Sequence, residues 1–161
     1  MALSLKIFLL VVGLSLCPTP AWAVPPPMSS DQLMAASDIV VLVRVVAVTC
    51  TALVRDLPSY RAQLEILAVK KGNVREHDMV FVMWSEIPQG LLGSWVVQYF
   101  PGEELWTYLK WDQDTTAYTA TWWNARGESV RTPDTQELPR VIGGVISAKS
   151  IEHPIISPNR K

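Results

Sequence analysis

Side chains able to do covalent or acid–base chemistry are scarce in this 161-residue chain: two histidines, His77 and His153, and two cysteines, Cys17 and Cys50. A hydrolase needs a nucleophile, a base and an orienting group within reach of one another. Gly93-Ser94-Trp95 lacks the second glycine of a G-x-S-x-G nucleophile elbow. His77-Asp78 lies between a turn and a strand, where a solvated loop histidine is the plainest reading, and His153 falls in a proline-containing C-terminal stretch. A structural zinc takes about four Cys or His ligands, whereas Cys50, His77 and His153 are three scattered ones. Asp112 and Asp114 open like a calcium loop, but Ala117 stands where that loop needs Gly and Trp123 where it needs a bidentate Glu. They read as turn residues. There is no glycine-rich phosphate loop either. The expectation is a protein that is not an enzyme and carries no metal or cofactor.

The side chains with binding rather than bond-making chemistry are the tryptophans, seven in the full chain. Trp84, Trp95, Trp106, Trp111, Trp122 and Trp123 remain once Trp22, within an apparent leader, is set aside. Aromatic side chains give large contact area at low entropic cost, and the indole N–H is a polar handle. The candidate ligand- or partner-binding residues are therefore Trp95, Tyr99 and Phe100 in a long Gly- and Pro-containing connection, joined by Trp106, Trp111, Trp122 and Trp123. The competing reading is that most of them fill or flank the core.

The elements that must position these residues can be read from periodicity. Residues 30–36 predict a short helix, with Ser29 as N-cap, Gln32 completing a capping box, and Met28 and Leu33 spaced as a hydrophobic staple. The run DIVVLVRVVAV at 38–48 is apolar on both alternating faces except at Arg44, as in a central strand. Residues 60–69 alternate as a half-buried strand, Lys70-Lys71-Gly72-Asn73 makes a turn, and 79–84 is another short strand. Residues 94–100 have the composition of an additional strand. ELWTYLKW at 104–111 and TAYTATWW at 116–123 should pair as a hairpin, with Ala125-Arg126-Gly127-Glu128 closing it. In the first of these strands Trp106, Tyr108 and Lys110 must point one way and Leu105, Thr107, Leu109 and Trp111 the other. Within a continuous strand Trp122 and Trp123 would likewise face oppositely. Residues 138–150 favour a final helix with Pro139 in its first turn, although Gly143-Gly144 weakens it. Short strands with Gly and Pro turns and no βαβ alternation favour a mainly β fold, a small antiparallel barrel.

Export shapes the composition. Lys6, the apolar run 7–16 and Ala21-Trp22-Ala23 have the form of a secretory signal peptide over residues 1–23. Its removal takes one of 14 cations and none of 15 acids, shifting the formal net charge from −1 to about −2. The expected organisation is then a Pro-rich arm over 24–28, one domain over 29–150 and a flexible tail over 151–161. The mature chain would be secreted or periplasmic with no transmembrane segment, and its charge argues against a nucleic-acid partner. Lipid anchoring through Cys17 is the alternative, against which Leu16 stands where a small residue is preferred. Cys50 would be the single exported thiol, read as a small buried hydrophobe, with a disulfide-linked dimer or a reactive thiol as alternatives.

Three stretches resemble the bacterial exported proteins related to the tissue inhibitor of metalloproteinases and netrin-like module. They are Ser37-Asp38-Ile39-Val40-Val41-Leu42-Val43-Arg44-Val45-Val46; Glu65-Ile66-Leu67-Ala68-Val69-Lys70-Lys71-Gly72; and Phe100-Pro101-Gly102-Glu103-Glu104-Leu105-Trp106-Thr107-Tyr108-Leu109. The resemblance implies an OB-like barrel, a fold that binds ligands on a strand face and its neighbouring loops. Animal inhibitors of that family chelate a protease zinc through an N-terminal cysteine and are rich in disulfides, whereas Val24 followed by three prolines would begin the mature chain here. Zinc chelation is therefore not implied. The expected function is an exported, non-enzymatic module that binds another envelope or extracellular protein. A small apolar-ligand or glycan binder using the tryptophans, or a netrin-type protease inhibitor acting through another surface, are the alternatives.

Overall fold

A computed structural model describes residues 25–87 and 96–149. The signal peptide expected over 1–23 with Cys17, Val24, Trp95 and the tail expected over 151–161 lie outside these residues. One short helix, α1 (Ser30–Ala36), precedes seven strands: β1 (Ile39–Val54), β2 (Leu57–Lys71), β3 (Met79–Ser85), β4 (Glu104–Asp112), β5 (Ala117–Ala120), β6 (Arg126–Arg131) and β7 (Val145–Ser147).

The helix forms where the capping box predicts it. The Ser29 hydroxyl accepts from the Gln32 N–H at 3.2 Å and the Gln32 side chain accepts from the Ser29 N–H at 2.8 Å, while Leu33 is its buried residue. It is tied to the sheet by Lys71, whose Nζ donates to the Met34 carbonyl at 2.7 Å near the helix C-terminus.

β1 is longer than its apolar run suggests. It continues through Thr49–Val54 and turns back through Arg55 and Asp56, both in the left-handed region, at φ 53° and 63°. A two-residue hairpin loop with both φ values positive matches the twist of its flanking strands. β1 thereby pairs with β2 from Val54 opposite Leu57 down to Val40 opposite Lys71. Beyond Lys71, Gly72 has φ +109°, and a Cβ there would lie 2.5 Å from Ile39 Cγ2. Only glycine makes this turn without displacing the strand it passes.

The seven strands form one mixed sheet in the order β6-β4-β5-β3-β2-β1-β7, and an additional β4–β1 pairing closes five of them into the ring β1-β2-β3-β5-β4. The expected antiparallel barrel is corrected to a mixed sheet with a five-stranded ring: β3 and β5 run parallel, in register at Val82 opposite Tyr118, because β5 returns beside β3 after pairing with β4. Inside lie Val41, Val43, Val45, Val48, Tyr60, Leu64, Ile66, Val82, Leu105 and Leu109, all fully buried. Burial at β1 covers both faces from Ile39 to Val41 and alternates thereafter. Arg44 points outward, between Glu104 on one neighbouring strand at 2.8 Å and Glu65 on the other at 3.7 Å. Cys50 is a buried free thiol in the core, as its apolar surroundings predict.

Three expected elements are corrected. The helix over 138–150 does not form in its described part: β7 pairs with β1 instead, Val48 opposite Ile146. Gly143 takes φ +79° and donates to the Cys50 carbonyl at 2.8 Å, while the Gly144 carbonyl accepts from the Cys50 N–H at 3.0 Å. Two adjacent glycines weaken a helix, and an open strand edge supplies the competing hydrogen bonds. The strand expected over 94–100 is absent from its described part, 96–100, which crosses the ring end without a ladder. The strand expected over 116–123 stops at Ala120, so Trp122 and Trp123 sit in a turn and strand alternation does not govern them. The closing segment at Ala125-Arg126-Gly127-Glu128 runs into β6, a strand added to the outer edge of β4.

Candidate binding site

The ring opens where β3 and β5 diverge beyond Val82 and Tyr118. β3 carries Val80, Val82 and Trp84 on the inward alternation, so a large indole reaches the place where the ladder ends. The gap is an apolar cavity of about 360 Å³. One wall is Val82 to Ser85 of β3, another is Thr119 and Ala120 of β5 with the following Thr121, Trp122 and Trp123. Val96, Val97 and Tyr99 form the floor, and Pro25 stands at the rim. Its size lies within the range typical of small-ligand sites.

Aromatic packing holds the walls. Trp84 sits between Tyr60, at 5.3 Å between ring centroids, and Tyr99, at 5.6 Å, both in tilted arrangements. Tyr60 donates from its hydroxyl to Glu86 Oε1 at 3.0 Å, and Tyr99 shares a 2.7 Å hydrogen bond with the buried Thr107 hydroxyl of β4. Burial pushes the Tyr60 phenol up to about 12, reinforced by the hydrogen bond and negative charge of Glu86. Burial likewise pushes Tyr99 up to about 12. Both phenols stay neutral hydrogen-bonding groups. The exception to this satisfaction is Trp84: its Nε1–H is buried without a hydrogen-bond partner among the described residues. An unmet buried donor of this kind costs about 1–3 kcal/mol.

The turn after β5 is organised around an extended chain. Trp122 Nε1 donates to the Pro26 carbonyl at 3.2 Å and Trp123 Nε1 to the Pro25 carbonyl at 3.1 Å. Asn124 holds the Met28 backbone twice, accepting from its N–H at 3.2 Å and donating to its carbonyl at 2.8 Å. The arm expected over 24–28 is thus docked in its described part.

Under the floor, Glu103 is 1% exposed and paired with Arg126 and Ser129 of β6. Glu103 Oε2 and Arg126 Nε lack partners among the described residues. This buried pair anchors β6 to the segment leading from Tyr99 into β4.

Of the aromatic residues singled out from sequence, the structure brings Tyr99, Trp122 and Trp123 together at the cavity. It separates Phe100, Trp106 and Trp111 from them, and Trp95 lies outside the described residues. Phe100 turns to a polar groove with Glu86 and Arg140, and Trp106 lies on the outer face of β4 beside Tyr108 and Lys70. Trp111, 44% exposed, packs edge-on against Tyr118 at 5.0 Å. The residue missed is Trp84, together with Val97 and Pro25. Its signal was the Val80, Val82, Trp84 alternation, which puts the largest side chain at the end of the inward face.

Among the described residues no three His, Cys, Asp or Glu side chains gather as metal ligands, and no helix is long and apolar enough to cross a membrane. His77 is exposed, with Nδ1 3.0 Å from Glu65. Asp112 forms a side-chain-capped turn, accepting from the Asp114 N–H at 3.0 Å and the Thr115 hydroxyl at 3.0 Å. Family models, curated proteins and solved structures all lack a match to this chain.

Proposed function

We propose that the chain is an exported, non-enzymatic binding module of the OB type, engaging a protein partner through the cleft between β3, β5 and the Trp122–Trp123 turn. The observation that carries the reading is the aromatic cavity with two indole donors at its edge, already turned toward backbone carbonyls. Donors placed beside apolar surface suit an extended peptide, to whose carbonyls they donate and whose side chains the cavity receives. The closed order of five strands, with a short parallel contact where the ring is weakest, supports the likeness to a partly open five-stranded OB barrel and to the netrin-like module. Because fold hosts many functions, the argument for binding rests on the cleft.

Site-specific photocrosslinking tests this reading. A photoreactive residue at Ser85, on the cavity wall, should capture a discrete partner in the native host, while one at Glu76, exposed in the turn before β3 at the end opposite Ser85, should not. Equal yields from both positions would count against a site at the cleft. A second reading has its own support: the cavity volume of about 360 Å³ and its apolar lining also suit a small apolar ligand. Extraction of the purified protein with organic solvent followed by mass spectrometry would reveal such a molecule.

A further inference from the structure

Resting on that reading, we propose that the cleft recognises a proline-rich extended segment of its partner, and that the chain's own residues 25–28 are an intramolecular occupant which the partner displaces. Pro25, Pro26 and Pro27 have no backbone N–H to offer and a fixed φ, so they favour a polyproline II course that leaves carbonyls open to outside donors. The turn after β5 supplies such donors in sequence: the Trp123 indole takes the Pro25 carbonyl and the Trp122 indole takes the Pro26 carbonyl. Pairing indole donors with consecutive proline carbonyls beside an aromatic groove is the chemistry by which proline-rich peptides are read.

Occupancy by the arm is incomplete. Of residues 25–28 only Pro25 lines the cavity, which keeps an open volume of about 360 Å³. A longer proline-rich segment can place further apolar side chains in that space, which gives the partner an advantage the arm lacks. The arm in turn holds the site against weak ligands, because tethering gives it an effective concentration of about millimolar. Asn124 fixes its other end through Met28, so the arm is released by loss of either contact set.

The test uses the full chain labelled with ¹⁵N, following the indole N–H resonances of Trp84, Trp122 and Trp123. The probe is the peptide acetyl-Val-Pro-Pro-Pro-amide, which omits the Met held by Asn124, with a glycine-substituted peptide as control. Replacing the three prolines by glycine (P25G, P26G, P27G) loosens the arm, and N124A releases its Met28 end independently. Either variant should bind the proline peptide at least about fivefold more tightly than the parent, with the Trp122 and Trp123 signals shifting and the control peptide inert. Unshifted indole signals at millimolar peptide in both folded variants would overturn the proposal. An apolar dye in the same samples separates the two levels: a dye-induced Trp84 shift with no peptide response leaves the cavity as a binding site and removes the proline-rich ligand, while silence to both removes the site as well. A concentration-dependent dimer of the parent that disappears on proline replacement would assign the cleft to a second copy's arm, and that too would overturn a foreign partner.

Discussion

The strand ring closes at two seams built in different ways. Between β1 and β4 the register runs unbroken from Ile39 opposite Leu109 to Arg44 opposite Glu104, and backbone bonds continue past it, from Asp38 to Leu109 at 2.9 Å and from Val45 to Glu103 at 2.9 Å. Between β3 and β5 the ladder is reduced to Val82 opposite Tyr118. The first seam is sealed by backbone pairing and by small β-branched and Leu side chains packed inside it. The second is sealed by aromatic rings. Because β5 is four residues long and must also pair with β4 at Trp111 and Lys110, it cannot follow β3 to its end, so the strands part and Trp84, Tyr99 and Trp122 border the space left between them. A concave apolar site is thus the consequence of an incomplete ladder. The seam that contributes least pairing to the fold is the one with room for a ligand.

The comparison makes predictions that differ in size. At the tight seam, Leu105→Ala should lower the unfolding free energy by about 2–5 kcal/mol, because a fully buried side chain is lost from a site that cannot collapse. Urea denaturation read by circular dichroism would measure this, and a loss below about 1 kcal/mol would mean that the seam is not packed as described. Arg126→Met leaves Glu103 buried without its cation and should cost about 3 kcal/mol, whereas the double variant E103Q with R126M should recover part of that loss. If the double variant is no more stable than the single one, the buried pair is not what anchors β6.

The open seam should be the alkaline-sensitive one. Tyr60 and Tyr99 have folded-state values raised to about 12, above about 10 for an unfolded tyrosine, so their contribution is fully present below pH 10 and is lost as pH rises toward 12. The melting temperature should fall by roughly 5–10 °C across that window, and Y99F should flatten the fall. An equally steep fall in Y99F would dissociate it from the cavity wall. The smallest effect is expected at Trp84. Trp84→Phe removes an indole N–H that has no partner among the described residues, so it should cost only about 1 kcal/mol in stability. A loss as large as that of Leu105→Ala would show that Trp84 carries the seam structurally.

Local chemistry made much of this fold readable from the chain. Ser29 and Gln32 specify the start of α1 because a capping box is a short-range device, and the Val-rich run at 39–48 specifies a strand that is buried on both faces only from Ile39 to Val41 and on one face beyond. The alternation separated Leu105, Thr107, Leu109 and Trp111 from Trp106, Tyr108 and Lys110, and the structure makes the first set inner as far as Leu109, with Thr107 buried where Tyr99 meets its hydroxyl and Trp111 exposed. Legibility ended where a distant partner decides. Residues 145–147 become a strand because β1 offers an unpaired edge, and neither periodicity nor helix propensity contains that edge. Trp122 and Trp123 leave the sheet because β5 stops at Ala120, which removes the alternation that would have set them on opposite faces.

What the sequence determined by itself, then, is a β-rich chain rich in tryptophan, its helix, its hairpins and the identity of its inward faces, since these follow from side-chain period and turn chemistry over a few residues. Which aromatic residues meet was decided only in three dimensions. The parallel contact of β3 with β5 and the docking of residues 25–28 on the turn at 122–124 join segments 36 and 96 residues apart, as Val82 with Tyr118 and Met28 with Asn124. Contacts of that range depend on where the ring closes, and the ring closes where backbone hydrogen bonds, which every residue type carries alike, find their last available partners.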